Sequence, residues 1–374
     1  MATINEQLQS ASISHAVDLQ HLSNAEVRKI MALLNRVDED LRDRLLAAVG
    51  RMGAERFTVK YMNTVLASVR ELNKQVYEQA GEAMKEAVDE LAAYEIGYQQ
   101  SLFTATLPAQ VLTVVPLARV DLAQVRQIAS SRPFQGKLLG EWMEELEVGR
   151  AVRIRDAIRI GMVSGQTTDQ IIRGIMGIMG IRSEGYADGL LNRSRNDIEA
   201  MVRTAISHTA QSARDAFYQA NSDLISEVVW LSTLDGRTSA PCRLRDGLHY
   251  TADTHQPIGH KVPWLSGPGR LHWRCRSSST PVIKAWEELG LSKADIPEGT
   301  RASMDGQIPE STSYGDWIKG QSAARQDQVL GPSRGKLMRE GGLSMDKFYN
   351  DQGRFLNLDQ LRERDSASFA KAGL

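Results

Sequence analysis

Residues 23–50, SNAEVRKIMALLNRVDEDLRDRLLAAVG, carry apolar side chains at Val27, Ile30, Leu34, Val37, Leu41 and Leu45. Spacings of three and four place all six on one side of a helix. Ser23-Asn24-Ala25-Glu26 has the form of a capping box, which predicts a helix start at Ser23 and leaves residues 1–22 as a flexible N-terminal arm. Gly50 and Gly53 predict the end. A second stripe, Met62, Val65, Val69, Leu72, Val76, Ala80, Ala83, Ala87, Leu91, Tyr94 and Tyr98, repeats the period through residues 58–103, with Gly81 as a candidate bend. At ~1.5 Å per residue the second helix is about 70 Å long against about 40 Å for the first. A long helical hairpin over residues 23–106 therefore leaves apolar surface around Ala87, Leu91, Tyr94 and Tyr98. Either another chain or later helices of the same chain must cover it.

Working outward from the hairpin, proline divides the chain. None precedes Pro108, and eight of the 11 fall between Pro241 and Pro332. Because proline interrupts helix and sheet alike, the first half can be long helix and the later region must be turn-rich. Leu107 to Val120 reads as an irregular crossover or short strand. Helical pattern returns from Lys137 to Val163 and ends near Gly165. Thr167-Thr168-Asp169-Gln170 is a further capping box, Gly174–Gly180 reads as a loop, and a helix is predicted from Ser194 to Asn221. Leu224 to Leu234 holds the densest β-branched and aromatic run. Turns and short strands follow to Thr280, then short helices after Trp286. The reading is mainly α with a smaller α+β domain: an arm (1–22), a helical hairpin (23–106), a helical middle region (107–193), a compact α+β domain (194–285) and a short helical tail (286–374).

Composition narrows the function. The 374 residues hold 45 basic and 46 acidic side chains, a net charge of −1, which argues against coating nucleic acid by bulk charge. Two cysteines rule out a secreted disulfide framework and repeated zinc fingers. Charges interrupt every apolar run before ~18 residues, so no membrane span is expected. The first residues lack the basic and apolar regions of a signal peptide. A soluble protein of a reducing compartment is expected.

Five of the seven histidines, His208, His249, His255, His260 and His272, lie with Cys242 and Cys275 in residues 208–275. Three readings compete. Cys242, His272 and Cys275 could be soft ligands for a metal, zinc being the candidate cofactor, with a fourth ligand from His249, His255, His260 or Asp246. The cysteines could form a disulfide, or both could be small buried hydrophobes with His272 bonded to a turn. Seven basic residues against three acidic ones between Asp235 and Val282 suggest an anion-facing surface, or else arginines that hold turns, such as Arg237 on Asp235 or Asp246. A metallohydrolase with Asp246 or Asp253 as base is the enzyme reading. Yet no H-E-x-x-H, P-loop or G-x-S-x-G is present.

The order of pieces here resembles the phage Mu F-like head morphogenesis proteins, minor capsid proteins of tailed phages. The strand ending at Trp230 leads to a D-x-R-T-x-x-x-C-x-x-x-D-G segment: Asp235, Arg237, Thr238, Cys242, Asp246 and Gly247. An H-x-x-C-R segment follows at His272, Cys275 and Arg276. The helix Arg203–Thr209 and the tail pieces Tyr314-Gly315-Asp316-Trp317, Gln326–Gly331 and Gly342-Leu343 extend the likeness over roughly residues 120–361. Many relatives carry further cysteines where this chain has Ser239 and Ser277. The resemblance implies a non-catalytic protein of the capsid interior or portal vertex, present in the host cytoplasm during assembly. It implies the portal protein and the capsid or scaffold interior as partners, with packaged DNA and self-association as further contacts. A role in head assembly, genome packaging or delivery follows from it. A virion-carried zinc-dependent hydrolase or nuclease, and an internal DNA-binding protein, are the alternatives.

Overall fold

Helix α1 runs from Ile4 to Gly50 and α2 from Val59 to Thr106, 47 and 48 residues. The computed structural model describes residues 4–50, 59–179, 186–285, 288–289, 300–303, 306–309 and 312–374. The expected arm at residues 1–22 is helix from Ile4 onward. Ser23 and Glu26 are not a cap but buried positions in the middle of α1. The reason lies in Leu8, Ser12 and His15, which continue the inward stripe toward the N-terminus and are buried. Helix α2 continues through Gly81 without interruption. The side chains of Met62 and Val65, and Gly53, lie outside the described residues.

Next come α3 (Ala109–Val114), α4 (Leu122–Ser131), α5 (Leu139–Val163) and α6 (Thr168–Met176). Residues 107–120 thus hold one helical turn and a half rather than a strand. The Thr167 box caps α6 as predicted: Gln170 N donates to Thr167 Oγ1 (3.3 Å) and Thr167 N to Gln170 Oε1 (2.8 Å). The glycine-rich stretch is partly α6 and partly a short antiparallel pair, β1 (Gly177–Met179) with β2 (Tyr186–Asp188). Met176 is buried core filling, as expected, while Gly180 and the Met179 side chain lie outside the described residues. Helix α7 spans Leu190–Ala220.

The C-terminal half contains β3 (Ile225–Leu231), α8 (Ala240–Arg245), β4 (His249–Thr251), β5 (Pro257–Ile258) and β6 (Ser278–Ile283). These strands form an antiparallel sheet of order β5-β4-β3-β6, with Val228 opposite Tyr250 and Val229 opposite Thr280. As a central strand, β3 buries Val228, Val229, Trp230 and Leu231 consecutively, which is why it reads as an unbroken apolar run. Pro281 is tolerated because β6 is an edge strand. A hairpin of β7 (Thr300–Ser303) and β8 (Gly306–Pro309) was not foreseen. Trp286 is outside the described residues. The tail then supplies α9 (Tyr314–Lys319), α10 (Ala323–Leu330), α11 (Pro332–Arg339), α12 (Leu358–Arg364) and α13 (Ser366–Ala372).

The chain divides into two compact units rather than at the sequential boundaries expected. One comprises residues 21–91 and 129–206, the other residues 1–20, 92–128 and 207–374. Among its described residues the first is helical apart from connecting turns, the β1–β2 pair and an isolated bridge between Phe134 and Lys137. Val27, Ile30 and Leu34 of α1 join Val76, Ala80 and Met84 of α2 and Ile198, Met201 and Val202 of α7. Leu41, Leu45 and Leu72 meet Ile154 and Ile158 of α5 and Ile171 and Ile175 of α6. Later helices of the same chain therefore cover much of the hairpin. Within this unit Asp38 is buried and paired with Arg150 and Arg195.

The second unit holds the sheet. Trp230 and Tyr250 pack edge-on against Trp264, with centroids 5.2 and 4.8 Å apart, and Leu8, Phe103 and Phe217 belong to the same core. The stripe at Leu91, Tyr94 and Tyr98 is mostly covered within the chain. Leu91 is buried, Tyr98 stacks on His15 at 3.7 Å, and Tyr94 is 56% exposed. His15 is buried with its Nε2 2.6 Å from Glu95 Oε2, while His21 is exposed. Arg214 Nη2 donates to Glu95 Oε1 at 2.9 Å. Burial alone would raise the Glu95 carboxyl, but Arg214 and His15 outweigh it and hold it at about 2. No described helix is long and apolar enough to cross a membrane.

Candidate metal centre

Two short segments flanking β3 and β6 build the site. After β3 the chain turns through Asp235 and enters α8, with Ser239 at its N-cap, Pro241 in its first turn and Cys242 facing inward. Before β6, Cys275 N donates to His272 O at 3.2 Å, closing a tight turn in which Arg274 takes φ 59°. Pairing of β3 with β6, Leu231 opposite Ser278, brings the two segments together.

Cys242 Sγ lies 3.3 Å from His272 Nε2 and 3.7 Å from Cys275 Sγ, and the three ligand atoms fall within 4.8 Å of one another. A tetrahedral ion with metal–sulfur and metal–nitrogen bonds typical of zinc sets these separations at about 3.5 and about 3.8 Å. The fit is close. His272 Nδ1 lies 2.9 Å from the Trp273 carbonyl; an N–H donated there leaves the Nε2 lone pair facing the sulfurs, the usual posture of a metal-ligating imidazole. Cys242, His272 and Cys275 thus form a cluster able to hold a metal ion. Electrostatics prepare one sulfur of the two, that of Cys275, for a cation. The Cys242 thiol hydrogen-bonds Cys275 and, with His272, holds the Cys275 thiol well below its ordinary range, against burial. That same contact, with burial, pushes Cys242 up. Burial would lower His272, but the Cys275 sulfur outweighs it and raises the imidazole.

The expected fourth ligands are elsewhere. His249 Nδ1 meets Glu227 Oε2 at 2.5 Å. His260 places Nε2 at the His249 carbonyl and accepts from Val262 N on Nδ1. His255 stacks on Trp264 at 4.5 Å. Asp246 accepts from Ser232 N (2.8 Å) and Tyr314 N (2.9 Å) on its two oxygens. The nearest additional donor to the cluster is Ser239 Oγ, 2.7 Å from His272 Nε2. The serine positions stood out in the sequence only through the family likeness, and the Trp273 carbonyl carries no sequence signal at all.

The other motif residues fasten turns. Arg276 grips Asp235 with two 2.6 Å bonds, and Arg237 N and Thr238 Oγ1 donate to the same carboxylate. Burial would raise Asp235, but Arg276 outweighs it and lowers the carboxyl. Arg237 pairs with Asp235 as expected, at 3.4 Å and with its side chain largely exposed, but Arg276 is the stronger partner. Tyr314 Oη donates to the Asp235 carbonyl at 2.9 Å. Gly247, at φ 76°, lets the chain reverse so that its N–H reaches the Trp230 carbonyl at 2.8 Å. Four of the seven basic residues are engaged inward. Arg243 bonds the Val329 carbonyl, Arg245 those of Pro263 and Pro241, Arg270 holds Asp215, and Arg276 holds Asp235.

No family model matches this chain, and neither a curated protein nor a solved structure does.

Proposed function

We propose that this chain is a minor capsid protein of a tailed phage, located in the capsid interior or at the portal vertex, and that its work is non-catalytic. The observation that carries the reading is the role of the motif residues. Asp235, Arg276, Asp246 and Gly247, four of the positions on which the family likeness rests, lock turns of the small sheet domain together, and both carboxylates are buried. A hydrolase needs an open coordination position and a free base. Here both sulfurs are buried, and Asp246 spends both oxygens on backbone N–H groups. Loss of four arginines to internal bonds also weakens the DNA-binding reading. Zinc is the ion this cluster suits, as a structural fastener between α8 and the turn before β6. It would join Cys242, His272 and Cys275, with Ser239 closing the shell.

The test is composition of purified heads from the phage or prophage that encodes the chain. A few copies per head, with defective heads when the gene is deleted, are expected; absence from heads overturns the reading. For the ion, cobalt(II) added to the full chain should give thiolate-to-cobalt absorption that Cys275→Ser abolishes. Cobalt without that absorption sinks the zinc assignment and leaves the capsid reading standing.

A further inference from the structure

Helix α5 buries Met143, Arg150, Ile154 and Ile158 on one side. Its opposite side is a single face, because residues spaced by three and four stay within about 100° of helix circumference. Along that face stand Glu141 and Glu145, then Val148 and Val152, then Arg155 and Arg159. Val148 and Val152 are 50% and 38% exposed, and near the same end Ile160 and Val163 are exposed too. The face is acidic at one end, apolar in the middle and basic at the other.

That order is self-complementary in one direction only. Antiparallel pairing centred between Val148 and Val152 sets Val148 against Val152 of the other copy, twice. It also sets Glu145 against Arg155 and Glu141 against Arg159, twice each. Leu138, 36% exposed, comes opposite Met162, one residue from Val163, which is 90% exposed. Parallel pairing would instead place like charge on like charge. An arrangement in which each residue i meets j while j meets i is the signature of a two-fold, isologous contact. We propose that this face of α5 is a docking surface for a second copy of this chain, antiparallel about a two-fold axis. Two existing ion pairs would be exchanged or shared on pairing, Arg155 with its neighbour Asp156 and Glu145 with Lys137, and both are open to solvent. The inference stands on α5 alone and does not depend on the capsid reading.

The experiment is sedimentation equilibrium of the full chain and of two charge variants. Glu141→Arg with Glu145→Arg makes the face wholly basic; Arg155→Glu with Arg159→Glu makes it wholly acidic. The unaltered chain should dimerise at tens of micromolar. Each variant should dissociate at least about 100-fold more readily, since juxtaposed like charges cost several kcal/mol. An equimolar mixture of the two variants should pair again. A monomeric unaltered chain, variants that stay dimeric, or a mixture that stays monomeric would each overturn the proposal. If a variant loses its helical circular dichroism, Val152→Asp replaces it at the centre of the seam. Dimers that survive that change overturn the proposal equally.

Discussion

Asp38 in the helical unit lies between two arginines, Arg150 and Arg195, whereas Glu95 in the sheet-bearing unit lies between an arginine and a histidine. Both carboxylates are wholly buried, so each depends on its cations for existing in charged form. The difference is in the cations. A guanidinium keeps its charge across the accessible pH range, while an imidazole loses or gains a proton near neutrality. Asp38 is fastened by two guanidinium groups; Glu95 has one guanidinium and a ring that also stacks on Tyr98. Buried charge serves both units, and the identity of one partner separates them.

The comparison breaks most easily at Asp38. Asp38→Ala leaves two guanidinium groups facing each other without a counter-charge, and should cost about 3–5 kcal/mol in urea unfolding of the full chain. A loss below about 1 kcal/mol would mean that the arginines find other partners, and the fastener reading fails. Acid comes next. The folded carboxyl of Glu95 is held at about 2 against an ordinary 4.5, so the folded state binds fewer protons than the unfolded one. Its contribution is therefore complete above about pH 4.5 and is lost as pH falls toward 2, in total about 3 kcal/mol. Unfolding free energy measured across that window should fall more steeply in the unaltered chain than in Glu95→Gln. Parallel slopes would remove Glu95 from the account.

Asp246→Asn should have a smaller effect, about 1–2 kcal/mol. The amide keeps one acceptor for Ser232 N or Tyr314 N and turns a donor toward the other. Thermal melting of the variant checks it, and an unchanged melting temperature would show that the Tyr314 turn is held by other bonds. The smallest effect belongs to Tyr94, whose ring is mostly in water. Tyr94→Ser should change stability by less than about 0.5 kcal/mol. A loss several times larger would mean that the apolar stripe of α2 is buried where the exposed ring now argues otherwise.

Periodicity made the helices legible but not their ends. Val27, Ile30, Leu34, Leu41 and Leu45 are buried as their spacing predicts. The same stripe continues through Leu8, Ser12 and His15, where two of three residues are polar and hide it. Two capping boxes of the same form had opposite fates. Thr167 follows Gly165, whose φ of 66° has already broken the helix, so the box closes. Ser23 follows nothing that breaks a helix, and the chain runs straight through it. At the Cys–His cluster the His272–Cys275 spacing was readable because a three-residue turn closes locally. Cys242 arrives by strand pairing across more than thirty residues. Clustering of histidines in sequence could not say that His249, His255 and His260 turn elsewhere, because their positions depend on how Trp264, Glu227 and local turns are packed.

Asn5, on the first turn of α1, accepts a hydrogen bond at 2.9 Å from the backbone N–H of Ile283, 278 residues away. Ribosomes add roughly 5–20 residues per second, so the two partners are made roughly fifteen to fifty-five seconds apart. Throughout that interval Leu8, Ser12 and His15 have no sheet to lie against. Residues 21–91 and 129–206 belong to the helical unit, and all of them are synthesised inside that wait. The order of synthesis therefore allows the helical unit to close first, while Leu8, Ser12 and His15 stand by as an unshielded sticky strip.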